Sequence, residues 1–384
     1  MIDLGPADRI DKAVAVFKKK MADIEDVQSK KAIKASMRLC GLVFEPLKKG
    51  LGKAKELFIS PDGNLNLIPF EVLQQAPEGH FLIEDYTFNY LAAGRDIIGF
   101  GQIKDKGTKA LIIGDPDFNM GEEQKSSTLR RLALTRTKDD KITKRSSDMR
   151  GLSFKRLPAT KEEVEKIGAL FGKRKADVYT GREALEEVLW RTGPPTILHL
   201  ATHGFFLNDL DLSALVDEKV RGISVVSPAT KQTGRKVKIE NPLLRSGIAL
   251  AGANNALRFG GTERSDGIVT AEKILSLKLR GTDMVVLSAC DTGLGEVKAG
   301  EGVYGLRRAF TQAGTRSLVM SMWQVPDQET KELMVEFYKN IRSGKMNRCQ
   351  SLRQAALKQL KTVKARYGNA NPLFWGAFVF MGEP

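Results

Sequence analysis

Two periodicities divide this chain. Between residues 6 and 57 apolar side chains recur three and four apart, at Ile10, Val14, Phe17, Met21 and Ile24, with Lys and Asp between them. That spacing predicts an amphipathic helix, and a second is expected over 31–55. From residue 56 the pattern shortens. Leu57-Phe58-Ile59-Ser60 reads as a strand, Pro61-Asp62-Gly63 as a turn, and Leu65 to Phe70 alternates apolar and polar, so a β-hairpin leading into a helix is expected. Phe88 to Leu91 is a further short strand. Ala110 to Gly114 is a continuous apolar run ending in Gly-Asp-Pro, which suits a strand buried on both faces. Residues 119–152 are polar, basic and aperiodic, and read as one long loop. Pro158 to Phe171 predicts a helix, with Thr160 and Glu163 at the spacing of a capping box. Val178-Tyr179 begins a strand, and 182–191 predicts another helix.

The second half repeats strand and helix. Thr196 to Gly204 is an apolar strand ending in His-Gly, and a polar loop spans 207–240. Asn241 to Leu250 returns to strand, Thr270 to Leu279 to helix. Asp283 to Cys290 is a second apolar strand, ending in Cys-Asp-Thr-Gly. A helix over 301–313, strand Ser317–Ser321, helices over 327–342 and 348–366, and strand Ala377–Phe380 complete the chain. Strands alternating with helices predict an α/β fold with a mainly parallel sheet covered on both faces.

Composition narrows the function. With 42% hydrophobic residues the chain can build a core, and no run nears 18 apolar residues, so no membrane helix is expected. The N-terminus has acids where a secretory leader needs a basic start. A net charge of +15 favours acidic partners, and nucleic acid is indicated by that charge alone. Three cysteines, Cys40, Cys290 and Cys349, are too scattered for a disulfide framework or a Cys-rich zinc site, so a reducing, cytoplasmic setting is expected, with no metal. No cofactor is expected either. A dinucleotide fingerprint from Gly293 would need glycine where Lys298 stands, and no Gly-Lys-Ser/Thr of a phosphate loop occurs.

Parallel sheets gather their chemistry at the carboxyl ends of strands. One strand here ends at His203-Gly204, another at Cys290-Asp291. A thiol nucleophile needs a base and oxyanion donors. His203 and Cys290 supply the first two, and the N–H groups of Gly204 and Cys290 suit the third. Set against this, a lone strand-end Cys or His is commonly structural. His199 is on the same strand face but about 13 Å from His203, and reads as structural. Cys40 and Cys349 sit in helical patterns and read as packing residues.

The segments Leu198–Gly204, Asn241–Ala253, Asp266–Ala271 and Leu287–Gly295 together resemble the CHAT family, caspase-like domains often found with tetratricopeptide repeats. Gly300–Gly302, Arg308–Phe310, Ala313–Gly314, Ser321–Asp327, Phe337–Tyr338 and Phe374–Phe378 extend the resemblance, as do Pro61–Leu65 and Leu67–Glu71. It covers about residues 40–384. It implies a caspase-like αβα sandwich, preceded by a helical segment at 1–55. The peptidase unit would be 56–384, with a first half at 56–150 carrying a basic loop at 121–150, and a catalytic half at 151–384. It also implies a cysteine endopeptidase of the clan of caspases, separases and gingipains, with His203 as base and Cys290 as nucleophile. Protein substrates and an activating partner of tetratricopeptide-repeat type, or another kind, are implied as well. In this clan one pocket beside the nucleophile selects the P1 residue. Asp327, with Trp323 as a wall and Asp291 as a second acid, is the candidate for it, predicting cleavage after Arg or Lys. The competing reading is a catalytically silent scaffold or interaction module.

Overall fold

The computed structural model describes residues 2–21, 30–75, 79–134, 146–149, 151–191, 193–207, 241–259, 265–288, 300–323 and 325–384. The expectations for Cys290, Asp291 and the loop 208–240 fall outside these residues. Helices α1 (Ala7–Met21), α2 (Lys30–Val43) and α3 (Glu45–Leu51) come first, followed by strand β1 (Glu56–Ile59). The second expected helix is thus two, separated at Phe44, with Pro46 in the first turn of α3. The expected hairpin of 57–60 with 65–70 does not form. Residues 63–67 and 70–72 wind into 3₁₀ turns, with Asn66 Nδ2 donating to Pro61 O at 2.8 Å. Strands β2 (Gln74–Gln75) and β3 (His80–Phe81) pair with each other, and α4 (Leu82–Asp85) leads into β4 (Thr87–Tyr90).

Strand β5 (Ala110–Pro116) is followed by α5 (Glu122–Arg131), so ten residues of the expected basic loop are helical. Helix α6 (Pro158–Phe171) has the predicted limits, then come β6 (Ala176–Gly181), the short α7 (Val188–Arg191), β7 (Ile197–Ala201) and β8 (Gly204–Phe206). Strand β9 (Ser246–Ala249), α8 (Ala253–Phe259), β10 (Ile268–Thr270) and α9 (Ala271–Ile274) precede β11 (Met284–Leu287). The chain closes with α10 (Gly300–Ala313), β12 (Ser317–Ser321), α11 (Asp327–Ser343), α12 (Arg348–Tyr367) and β13 (Phe378–Gly382).

Eight strands form one sheet in the order β1-β4-β13-β12-β11-β7-β5-β6. All neighbours are parallel except β12 and β13, where the direction reverses. Every residue of β5, β7, β11 and β12 is buried, which explains why these strands are mostly apolar, with Asp115 and His199 among the hydrogen-bonded exceptions. Helices α6, α11 and α12 pack in sequence on one face, and α10 with α9 packs elsewhere against β12 and β9. This is the mainly parallel α/β sandwich expected from the alternation. Strands β8, β9 and β10 make a separate antiparallel sheet, so the chain changes sheets at His203.

Helix α6 lies very close to the sheet. A Cβ at Gly114 of β5 would come 2.6 Å from Val164 Cγ1, and one at Gly168 would come 2.5 Å from Val178 Cγ2. Glycine at these two positions brings the inner residues of α6 under β7. No helix among the described residues is long and apolar enough to cross a membrane.

Burial also sets a pH dependence. Glu71 is buried, accepts the Tyr90 hydroxyl at 2.7 Å, and is pushed up to about 7, chiefly by desolvation. A carboxyl raised in the fold favours folding while protonated. That contribution is fully present below about 4.5, the unfolded value, and is lost as pH rises to about 7. Glu71→Gln stays neutral throughout. Its stability relative to the parent is expected to be about 2–3 kcal/mol better at pH 8 than at pH 5, read from denaturant midpoints at both pH values. A difference that does not change with pH would show that Glu71 ionises without cost.

Candidate active site

The carboxyl ends of β7 and β11 lie side by side. Leu200 pairs with Leu287, and Ser288 N–H donates to Leu200 O at 3.0 Å. His203 follows β7 and is 7% exposed. Its Nε2 lies 2.8 Å from the Lys155 carbonyl oxygen. A carbonyl only accepts, so Nε2 carries the hydrogen, and a neutral ring then leaves Nδ1 as the basic nitrogen. The rings of Phe118 and Phe154 flank the imidazole at centroid distances of 5.4 and 5.7 Å.

Gly204 begins β8, opposite Ile248 of β9. Ala249 N–H donates to His203 O at 2.9 Å and Leu207 N–H to Arg245 O at 2.7 Å. The odd-numbered residues therefore bond to β9, and the Gly204 N–H points away from it, off the edge of the small sheet. An oxyanion donor needs that freedom from the ladder.

A buried polar chain links α6, β7, the end of β11 and α11. Glu163 Oε1 accepts from Ser288 Oγ at 2.6 Å and from His199 Nε2 at 3.1 Å. The Tyr338 hydroxyl lies 3.0 Å from His199 Nδ1, and burial followed by the charge of Glu163 raises the phenol well above its ordinary value, so it stays protonated and donates. His199 and Tyr338 are completely enclosed, and Glu163 is 1% exposed. His199 is thus a structural residue. Glu163 does not close a capping box. Leu157 occupies the N-cap of α6, Pro158 its first turn, and the Thr160 hydroxyl donates to Leu157 O at 2.7 Å. The signal for Glu163 was present in the sequence, since it sits among Thr160, Val164, Ile167 and Gly168 on the inner stripe of the helix. Ser288 and Tyr338 fall inside segments that resemble the family, but no periodicity set them apart as polar core residues.

Strand β12 adjoins β11 in parallel. Asp327 is exposed in the first turn of α11, whose N-cap is Pro326 without a side-chain capping bond. Asp327 is therefore not the helix cap. Partial desolvation and then the charge of Glu163 raise its carboxyl above the usual range, while His203 draws it down. Asp327 thus shares an electrostatic environment with both His203 and Glu163. Trp323 is half-buried, and its Nε1 donates to Leu373 O at 3.2 Å, so the indole edge is fixed against the turn before β13. Cys40 and Cys349 are buried free thiols. Burial pushes Cys40 up to about 12 and Cys349 higher still, as expected of packing residues. Among the described residues, no group of three or more potential metal ligands converges.

A mainly parallel α/β sandwich with a histidine at the carboxyl edge of a central strand defines the class. The chain belongs to the CHAT domain family, whose model matches residues 34–383. Among curated proteins it is similar to tetratricopeptide repeat protein 28 of Mus musculus, 24% identical over 365 residues, and to that of Homo sapiens, 24% identical over 356 residues. Each alignment covers 90% of this chain and 13% of the relative, so the chain spans about an eighth of their length. Among solved structures, the Arg-specific cysteine proteinase gingipain R aligns with a TM-score of 0.47 and 9% identity, over 98% of this chain and 74% of that one. The complex of Porphyromonas gingivalis RgpB pro- and mature domains aligns with a TM-score of 0.47 and 11% identity, over 98% and 76%.

Proposed function

We propose that this protein is a cysteine endopeptidase in which His203 is the general base and Cys290 the nucleophile. The observation that carries the reading is the anchored Nε2–H of His203 beside the end of β11. Cys290 stands two residues past Ser288, and two trans peptide links reach no further than about 7.6 Å. Nδ1 of His203 takes the thiol proton, and the thiolate adds to the scissile carbonyl carbon. The N–H groups of Gly204 and Cys290 hold the oxyanion. The imidazolium then returns its proton to the leaving amine as the C–N bond breaks, leaving a thioester. Water, deprotonated by the same ring, releases the acid and restores the thiol. The setting is a reducing cytoplasm. The activator is a separate protein, and the tetratricopeptide-repeat relatives make a repeat protein the first to try.

The P1 residue is Arg or Lys, with Asp327 taking its charge beside the Trp323 wall and Asp291 as the second acid. Mass-spectrometric profiling of a peptide library, with Cys290→Ala as blank, tests both parts. Cleavage after basic residues, absent from the blank, is expected. Asp327→Ala should lower basic-P1 cleavage roughly 10–100-fold, the weight of a charge-assisted hydrogen bond. Its effect on stability should stay within about 1 kcal/mol, since only a helix-dipole contact is lost. A preference for acidic or apolar P1 residues rejects the pocket assignment, and identical profiles from parent and blank reject the peptidase.

A further inference from the structure

Residues 153–157 reach His203 without belonging to either sheet, and two latches hold them. On one side Asn254, 2% exposed in the first turn of α8, clips the backbone of Phe154. Phe154 N–H donates to Asn254 Oδ1 at 2.8 Å, and Asn254 Nδ2 donates to Phe154 O at 2.9 Å. The same Nδ2 also donates to Asn119 Oδ1 at 2.9 Å. On the other side Arg156 forks onto Asp115. Nε donates to Oδ1 at 2.8 Å, and Nη2 pairs with Oδ2. Asp115 is 2% exposed at the end of β5 with φ +45°, a left-handed backbone that a non-glycine residue holds only when its surroundings enforce it. Its N–H donates to Thr160 Oγ1 at 2.9 Å, which enforces it from α6.

Lys155 is the single residue between the two latched positions, and its carbonyl is the one that accepts from His203 Nε2. Side chains from α8 and β5, the latter held by α6, therefore brace the residues on either side of one backbone oxygen. A segment that only filled space would need neither a two-point backbone clip nor a strained aspartate. We propose that Asn254 and the Asp115–Arg156 pair are positioning residues that fix the Lys155 carbonyl, and through it the Nε2–H tautomer of His203. Nδ1 is thereby kept as the basic nitrogen. The proposal rests on the reading of His203 as the general base. A fixed acceptor at one ring nitrogen biases the tautomer by the weight of one hydrogen bond, roughly 3–10-fold in population. A carbonyl free to swing gives up that bias.

The chain has three histidines, so the test can be read directly in full-length protein labelled with ¹⁵N-histidine, with His203→Asn assigning the signal. The parent should show His203 as the Nε2–H tautomer. Asn254→Ala removes the clip at Phe154. Arg156→Ala, with a half-exposed side chain, removes the other latch and keeps the test readable if the first variant fails to fold. Both should move His203 toward mixed tautomers, leave His80 and His199 unchanged, and slow iodoacetamide labelling of Cys290 about 3–10-fold. Asn254→Asp, which keeps the acceptor for Phe154 N–H and loses the donor, should fall between parent and alanine. Lower thermal stability with an unchanged tautomer and labelling rate would reduce the latches to packing and overturn the proposal, as would an Nδ1–H parent. If the tautomer shifts in the variants while Cys290 is no more reactive than Cys40 in the parent, the peptidase reading fails and the latch stands.

Discussion

Replacing Cys290 or His203 by alanine is expected to lower peptidase activity by at least about a thousandfold, and the double variant should lose little more. The two side chains serve the same step. Without the base, the thiol at its ordinary value is mostly protonated near neutral pH, and without the sulfur the base has nothing to activate. Losses from residues that act as one unit do not add. The thiols themselves offer a second readout. Cys40 and Cys349 are buried, and burial raises both well above neutrality, so they should alkylate slowly in the native protein. Iodoacetamide should therefore label Cys290 first, and His203→Ala should erase that lead. Double-variant activity far below either single variant would mean two independent contributions and would dissolve the dyad. Full activity in Cys290→Ala would remove the nucleophile assignment altogether.

The parts of the fold that read directly from the sequence are those where one physical demand dominates. Strands β7, β11 and β12 are buried on both faces, so they favour apolar side chains, and the one imidazole in β7, His199, is hydrogen-bonded at both nitrogens. Helices α6, α11 and α12 bury one stripe each, and the three-and-four spacing shows it. The His-Gly at the end of β7 was legible for the same reason, since the apolar run stops there.

Where demands compete, the reading failed. Leu65 to Phe70 alternates like a strand, but Asn66 is spent on closing a 3₁₀ turn, so two-residue periodicity did not mean sheet. Residues 122–131 look like loop because their inner face is Lys125, Thr128 and Leu129. Lys125 is nevertheless 4% exposed, paired with Glu187 at 3.2 Å, so a charged residue takes a place where an apolar one was sought. The spacing of Thr160 and Glu163 fits a capping box, but Pro158 had already begun the helix one turn earlier. The latches on Lys155 join residues about 40 and 100 apart in sequence. No local pattern records such a contact.

The second large effect is expected at Glu163, which no part of the proposed chemistry touches. Its Oε1 is the shared acceptor for Ser288, at the end of β11, and His199, four residues before His203 on β7. It therefore ties together the two strands that deliver the candidate dyad. Glu163→Ala leaves a hydroxyl and an imidazole N–H buried without that acceptor, each costing about 1–3 kcal/mol, and opens a cavity besides. A total of about 3–5 kcal/mol is expected, a large share of the about 5–15 kcal/mol that holds a typical domain together. Glu163→Gln keeps an oxygen at the same place and should cost no more than about 1.5 kcal/mol. The amide also removes a charge, and here the two variants separate packing from electrostatics. The charge of Glu163 helps to raise the Asp327 carboxyl. In Glu163→Gln that carboxyl should titrate at lower pH, followed by its ¹³C signal, so Asp327 stays ionised further into acid. If Asp327 reads a basic P1 residue, cleavage after Arg should then persist to lower pH than in the parent. An alanine variant as stable as the parent would show that β7 and β11 are held together without this hub. An Asp327 titration that does not move in the glutamine variant would place the two carboxylates out of electrostatic reach.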